Sequence, residues 1–150
     1  VNKNNSRWLE PLLAKALSVF PVVIVAGARQ VGKTTLVRDL CPEPKRRYFT
    51  LDSLDVLLQA KESPDSLLED LPVTLDEVQR APELLLAVKR VVDRGRVAGG
   101  ILLTGSANFS LLRSVAVAAG YRSPEYLARV VRVVRAETGR SPGEFRAGRE

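Results

Sequence analysis

The chain has 150 residues, room for one domain, and 45% of them are hydrophobic, enough for a buried core and too many for a disordered chain. A single cysteine, Cys41, excludes a disulfide framework, and the absence of histidine excludes the usual zinc sets together with Ser-His and Cys-His catalysis. The net charge of +6 is compatible with a polyanionic partner such as nucleic acid, and equally with many enzymes.

No apolar run approaches the roughly 20 residues of a membrane span, and no secretory pattern opens the chain, so cytoplasm is the expected compartment. The sequence begins with Val1 and contains no methionine, which reads as a fragment or a literally translated start codon. Trp8, Leu12, Leu13, Ala16 and Leu17 recur at helical spacing and predict an amphipathic helix over 7–18. Pro21 introduces Val22 to Ala26, a short run rich in β-branched residues that predicts a buried strand. Gly27 to Gly32 breaks it, and Lys33 to Leu40 reads as a helix ending before Cys41-Pro42. Arg47 to Leu51 is a second strand and Ser53 to Glu62 a helix. Ser63-Pro64 reads as the cap and first residue of another helix. Val73 to Leu75 is a third strand running into Asp76-Glu77. Pro82 opens a helix with Leu85, Val88 and Val92 on one face, ending near Gly95. Ile101 to Thr104 is a fourth strand, and 108–115 returns to helix. Strands alternating with helices predict an α/β fold with a parallel sheet covered on both faces.

Gly27-Ala28-Arg29-Gln30-Val31-Gly32-Lys33-Thr34 fits the pattern G-x-x-x-x-G-K-[ST], with a strand before it and a helix after it. Glycines let such a loop curl so that backbone N–H groups point inward at phosphates, and the following helix adds its positive N-terminal end. Lys33 is expected to reach the β- and γ-phosphates and the Thr34 hydroxyl to ligate Mg²⁺. The competing reading is a Gly-rich turn without a ligand. Asp76, at the carboxyl end of a parallel strand, is expected beside Thr34 as a metal acid acting through water. Glu77 is the candidate general base for an attacking water. Two acids at a strand end also fit a plain solvated loop start. At the exit of the fourth strand, Ser106 is the first candidate to face the γ-phosphate, with Thr104 and Asn108 behind it. Ser106 or Asn108 can equally cap the next helix.

Taken together, the stretches 27–36, 75–84 and 103–109, with Arg7 to Leu12 and Tyr48 to Asp52, resemble the prokaryotic AAA+ ATPases whose AAA domain is often followed by an uncharacterised C-terminal domain. The resemblance covers residues 6 to about 115. It implies a P-loop NTPase three-layer α/β/α sandwich with a mainly parallel sheet, binding ATP and Mg²⁺. It implies Lys33 and the loop from Gly27 through Thr35 at the phosphates. Asp76 is then the metal acid, Glu77 the catalytic acid and the Ser106 region the sensor. In the strand order so implied, the first strand lies between the fourth and a fifth. No fifth strand or helical lid is legible, so the first strand is expected at an exposed sheet edge, with weak ATP binding and slow turnover as the consequence.

All six lysines and 21 of 22 leucines precede residue 116, so 1–115 is read as the nucleotide-binding core. Residues 116–150 are read as a non-matching Arg-rich tail, truncated or out of frame relative to the family. Ser123-Pro124 can open a helix there, while the valines fit a strand as well. Lys45-Arg46-Arg47 is a short basic run, read as solvated before it is read as a nucleic-acid contact. Cys41 is read as inert packing. Asp52 is read as a helix cap before a minor site residue, and Arg80 and Arg113 as solvated residues or as arginine fingers for a neighbouring subunit of a homo-oligomer. Three functions follow: an ATP-hydrolysing AAA+ module, a nucleotide-binding remnant without turnover, and a nucleic-acid-binding protein regulated by ATP.

Overall fold

A computed structural model describes residues 3–27, 33–40, 45–106, 113–114 and 117–118. Along the chain run α1 (Lys3–Val19), β1 (Val22–Ala26), α2 (Lys33–Leu40), β2 (Arg47–Thr50), α3 (Leu54–Glu62), β3 (Val73–Asp76), α4 (Leu84–Arg94) and β4 (Ile101–Gly105). The strands form one parallel sheet in the order β1-β4-β3-β2. This is the α/β, P-loop NTPase-like architecture the sequence predicts.

Every residue of β1, β3 and β4 is buried, as expected of strands covered on both faces. Side chains alternate between two separate cores. Val22, Ile24, Val73, Leu75, Ile101 and Leu103 pack with α3, α4 and the 3₁₀ turn Pro64–Leu68. Val23, Val25 and Leu102 pack with Leu13 and Ala16 of α1 and Val37 of α2. By the same parity Thr74, Asp76 and Thr104 lie on the α1/α2 face. That face is therefore apolar toward the amino ends of the strands and polar at their carboxyl ends.

Some local features depart from the sequence reading. Pro64–Leu68 is a 3₁₀ turn without a side-chain cap from Ser63, not an α-helix. Ser53 holds the N-cap position of α3, so Asp52 does not take the cap role; it accepts from Arg80 at 2.6 Å in a surface ion pair that leaves Arg80 exposed. Arg46 is 7% exposed and donates to the carbonyls of Val73 (2.9 Å) and Gly99. Arg47 pairs with Asp70 at 3.4 Å and lies over the Phe49 ring. Two of the three cations in the basic run are thus engaged within the chain. Gly99 has φ +67, and a Cβ there would lie 2.6 Å from the Leu17 carbonyl oxygen, so the turn into β4 requires glycine.

β1 pairs with β4 and with no other described strand, as the implied strand order suggested. It is not exposed, however: Val22 to Ala26 are 0–5% accessible. Ala118, beyond the boundary placed at 115, is 3% exposed and belongs to the first core.

Candidate functional site

The carboxyl ends of β1, β3 and β4 meet the first turn of α2, where a parallel sheet collects ligands. Lys33 opens α2 and is 5% exposed. Its Nζ donates to the carbonyl oxygens of Gly27 at 2.7 Å and Gly105 at 3.0 Å, joining the ends of β1 and β4. The Gly27 N–H donates to the same Gly105 oxygen at 3.1 Å and extends the ladder past Ala26. Of the remaining loop candidates, Ala28, Arg29, Gln30, Val31 and Gly32 lie outside the described residues, as does the side chain of Thr35. So does Asn108.

Asp76 is 2% exposed and is the centre of a hydroxyl cluster. The Thr34 Oγ1 donates toward its two carboxylate oxygens at 3.2 and 3.3 Å. The Tyr48 hydroxyl donates at 2.7 Å, and Thr104 Oγ1 donates to Oδ1. Burial, then the hydrogen bond to Asp76, push the Tyr48 phenol well above its ordinary range, so it remains a donor. Arg38 lies 4.2 Å over the Tyr48 ring. Thr34, Tyr48 and Thr104 come from α2, β2 and β4, so the contacts close only when sheet and helix are assembled.

Glu77 takes φ 62 and ψ 45, the left-handed region, where a non-glycine residue is uncommon and concentrates at functional positions. Its N–H donates to Thr104 Oγ1 at 3.0 Å. One hydroxyl therefore donates to Asp76 and accepts from Glu77, which fixes the turn between the two acids. The Glu77 carboxylate accepts from Gln79 Nε2, and Gln79 Oε1 accepts from the Ser106 N–H at 3.3 Å. Lys33, Thr34, Asp76, Glu77 and Ser106 are thus gathered at one end of the sheet. Ser106 takes part through its backbone, whereas Thr104, the second choice from sequence, makes the side-chain contacts. Parity gives the reason: Leu75 is level with Leu103, so Thr104 follows it on the same face as Asp76. Tyr48 and Gln79 were not singled out. Tyr48 lies in the second predicted strand and Gln79 in the 75–84 stretch that carries the family resemblance, but neither residue type announces a contact to a carboxylate.

The family model of the AAA domain matches residues 19–127. The chain belongs to this AAA domain family. Membership makes it a nucleotide-binding ATPase-type module. It is also 35% identical over 103 residues to Uncharacterized protein Mb2031c of Mycobacterium bovis and to Uncharacterized protein Rv2008c of Mycobacterium tuberculosis. Those alignments cover 67% of this chain and 23% of each relative, so the chain spans about a quarter of their length. Among the described residues, no helix is long and apolar enough to cross a membrane.

The groups able to ligate a cation here are oxygens: the Asp76 carboxylate and, beside it, the Thr34 hydroxyl on the first turn of a helix, with the Tyr48 and Thr104 hydroxyls also on Asp76. Mg²⁺ binds through one or two carboxylates together with phosphate oxygens, so this donor set fits Mg²⁺ carried by a nucleotide.

Proposed function

We propose that this AAA module binds ATP with Mg²⁺ and hydrolyses the bond between the β- and γ-phosphates. The observation that carries the reading is the convergence of Thr34 on Asp76, with Lys33 seated across the ends of β1 and β4 and Glu77 held beside them. The Gly27–Gly32 loop supplies backbone N–H donors to the phosphates. Lys33 offers the terminal phosphates a cation, and its hydrogen bonds to the Gly27 and Gly105 carbonyls are contacts that a charged ligand can outcompete. Thr34 and Asp76 would hold Mg²⁺, which when bound would supply charge that neutralises the phosphates. Glu77 orients a water and accepts its proton as the water oxygen bonds to the γ-phosphorus. The bridging P–O bond breaks and ADP leaves. Thr104 keeps Asp76 and Glu77 in fixed relation during that proton transfer.

Two variants test the reading in one set of assays. Lys33→Ala is expected to abolish measurable Mg-ATP binding, because it removes the cation aimed at the terminal phosphates. It also takes the Lys33 donor from the buried Gly27 carbonyl, while Gly105 keeps the Gly27 N–H, with an expected stability loss of about 1–3 kcal/mol. Glu77→Gln is expected to keep ATP binding and to lose phosphate release, because an amide accepts no proton. Wild-type turnover in Glu77→Gln would remove Glu77 as the base, and unchanged affinity in Lys33→Ala would remove the phosphate site itself.

A further inference from the structure

Glu77 has a fixed backbone and a long side chain. The Thr104 hydroxyl holds its N–H, and the 3₁₀ turn Val78–Arg80 starts at it, with the Arg80 N–H donating to the Glu77 carbonyl at 3.1 Å. The carboxylate lies beyond several rotatable bonds, whose freedom must be restricted before a base can meet a bound water in one geometry. The partly buried Gln79, on that same turn, supplies the restriction.

We propose that Gln79 is a positioning residue for Glu77: its amide holds the Glu77 carboxylate through Nε2 and anchors it to the exit of β4 through Oε1 and the Ser106 N–H. The inference rests on Glu77 being the base. The chemistry of the two contacts sets the amide's orientation. A carboxylate only accepts and a backbone N–H only donates, so the NH₂ end faces Glu77 and the oxygen faces Ser106. A reversed amide would set acceptor against acceptor and donor against donor. The holding group is also neutral. A lysine or arginine there would fix the carboxylate equally well but would stabilise its charge and weaken it as a base. Gln79 orients Glu77 without adding a formal charge beside it. The same amide connects the base to the segment after β4, so displacement of Ser106 displaces the base.

The test compares steady-state ATP hydrolysis and equilibrium ATP binding in wild type, Gln79→Leu, Gln79→Glu and Glu77→Gln. Gln79→Leu removes both contacts at similar size. Gln79→Glu keeps an acceptor for the Ser106 N–H but sets a negative charge against Glu77. Both variants are expected to lower kcat by about ten- to a hundredfold, the scale of a misplaced catalytic group. ATP KM and affinity are expected to stay within about twofold, since the ground-state contacts to nucleotide are untouched. Adding Gln79→Leu to Glu77→Gln is expected to change turnover no further, because the held group is already disabled. A role confined to supporting Ser106 would leave Gln79→Glu at the wild-type kcat. That result, or wild-type kcat in Gln79→Leu while Glu77→Gln is inactive, overturns the proposal. Absent turnover in wild type, or equal turnover in wild type and Glu77→Gln, would instead overturn the assignment of Glu77 and this inference with it.

Discussion

A carboxylate taken out of water must be surrounded by donors or give up its charge. Asp76 has hydroxyl donors from Thr34, Tyr48 and Thr104. Tyr48 is the member of this group with a measurable pH signature. Its phenol titrates above the ordinary value of 10.0 because of burial first and the Asp76 contact second. The sign follows by linkage. Below the unfolded value both states are protonated and the contribution is fully present. As pH rises past about 10 the unfolded chain loses the phenol proton while the folded chain keeps it, and stability falls. Urea denaturation at pH 8 and at pH 10.5 is expected to show a steeper alkaline loss in wild type than in Tyr48→Phe. At pH 8 Tyr48→Phe is expected to be less stable by about 1 kcal/mol, the scale of one hydrogen bond at a partly buried position. Equal alkaline losses in the two proteins would place the phenol outside the network.

At the scale of the elements, β1, β3 and β4 were legible because strands buried on both faces read as short apolar runs bounded by turn residues. An apolar run conceals which residue faces which layer. Hence Thr104 ranked behind Ser106, although the register sets Thr104 beside Asp76. The basic run concealed the buried Arg46 for a related reason: composition does not reveal that the carbonyls of Val73 and Gly99 will be within its reach. Ser63-Pro64 carried a sound helix-start signal, yet the segment closes as a 3₁₀ turn packed between α3 and α4. Parity also places Thr74 on the α1/α2 face, 1% exposed, with no hydrogen-bond partner for its Oγ1 among the described residues. An orphaned buried hydroxyl costs free energy that an isosteric methyl does not. Thr74→Val is therefore expected to raise stability by about 1 kcal/mol in chemical denaturation. A loss of similar size would mean that the hydroxyl is bonded.

For the whole molecule, the sheet order explains why the site is where it is. β1 and β4 are neighbours, so the loop after Ala26 and the exit after Gly105 share Lys33. β3 is the next strand, which brings Asp76 and Glu77 alongside. β1 stands at the edge of the described sheet with β4 as its one described neighbour, as the implied strand order predicts, while its residues are 0–5% accessible. A different location is also available on this molecule: a groove of about 560 Å³ lined by Asp65, Leu68, Glu69, Leu71, Val91, Arg94 and Gly95. The central claim, that nucleotide binds at the carboxyl ends of β1, β3 and β4, is tested most directly by amide hydrogen exchange. The exchange is followed with and without Mg²⁺ and a non-hydrolysable ATP analogue. Slower exchange is expected in 27–36, 76–79 and 104–106, and Lys33→Ala is expected to abolish it. Protection confined to 65–71 and 91–95, or none at saturating analogue, would contradict the account.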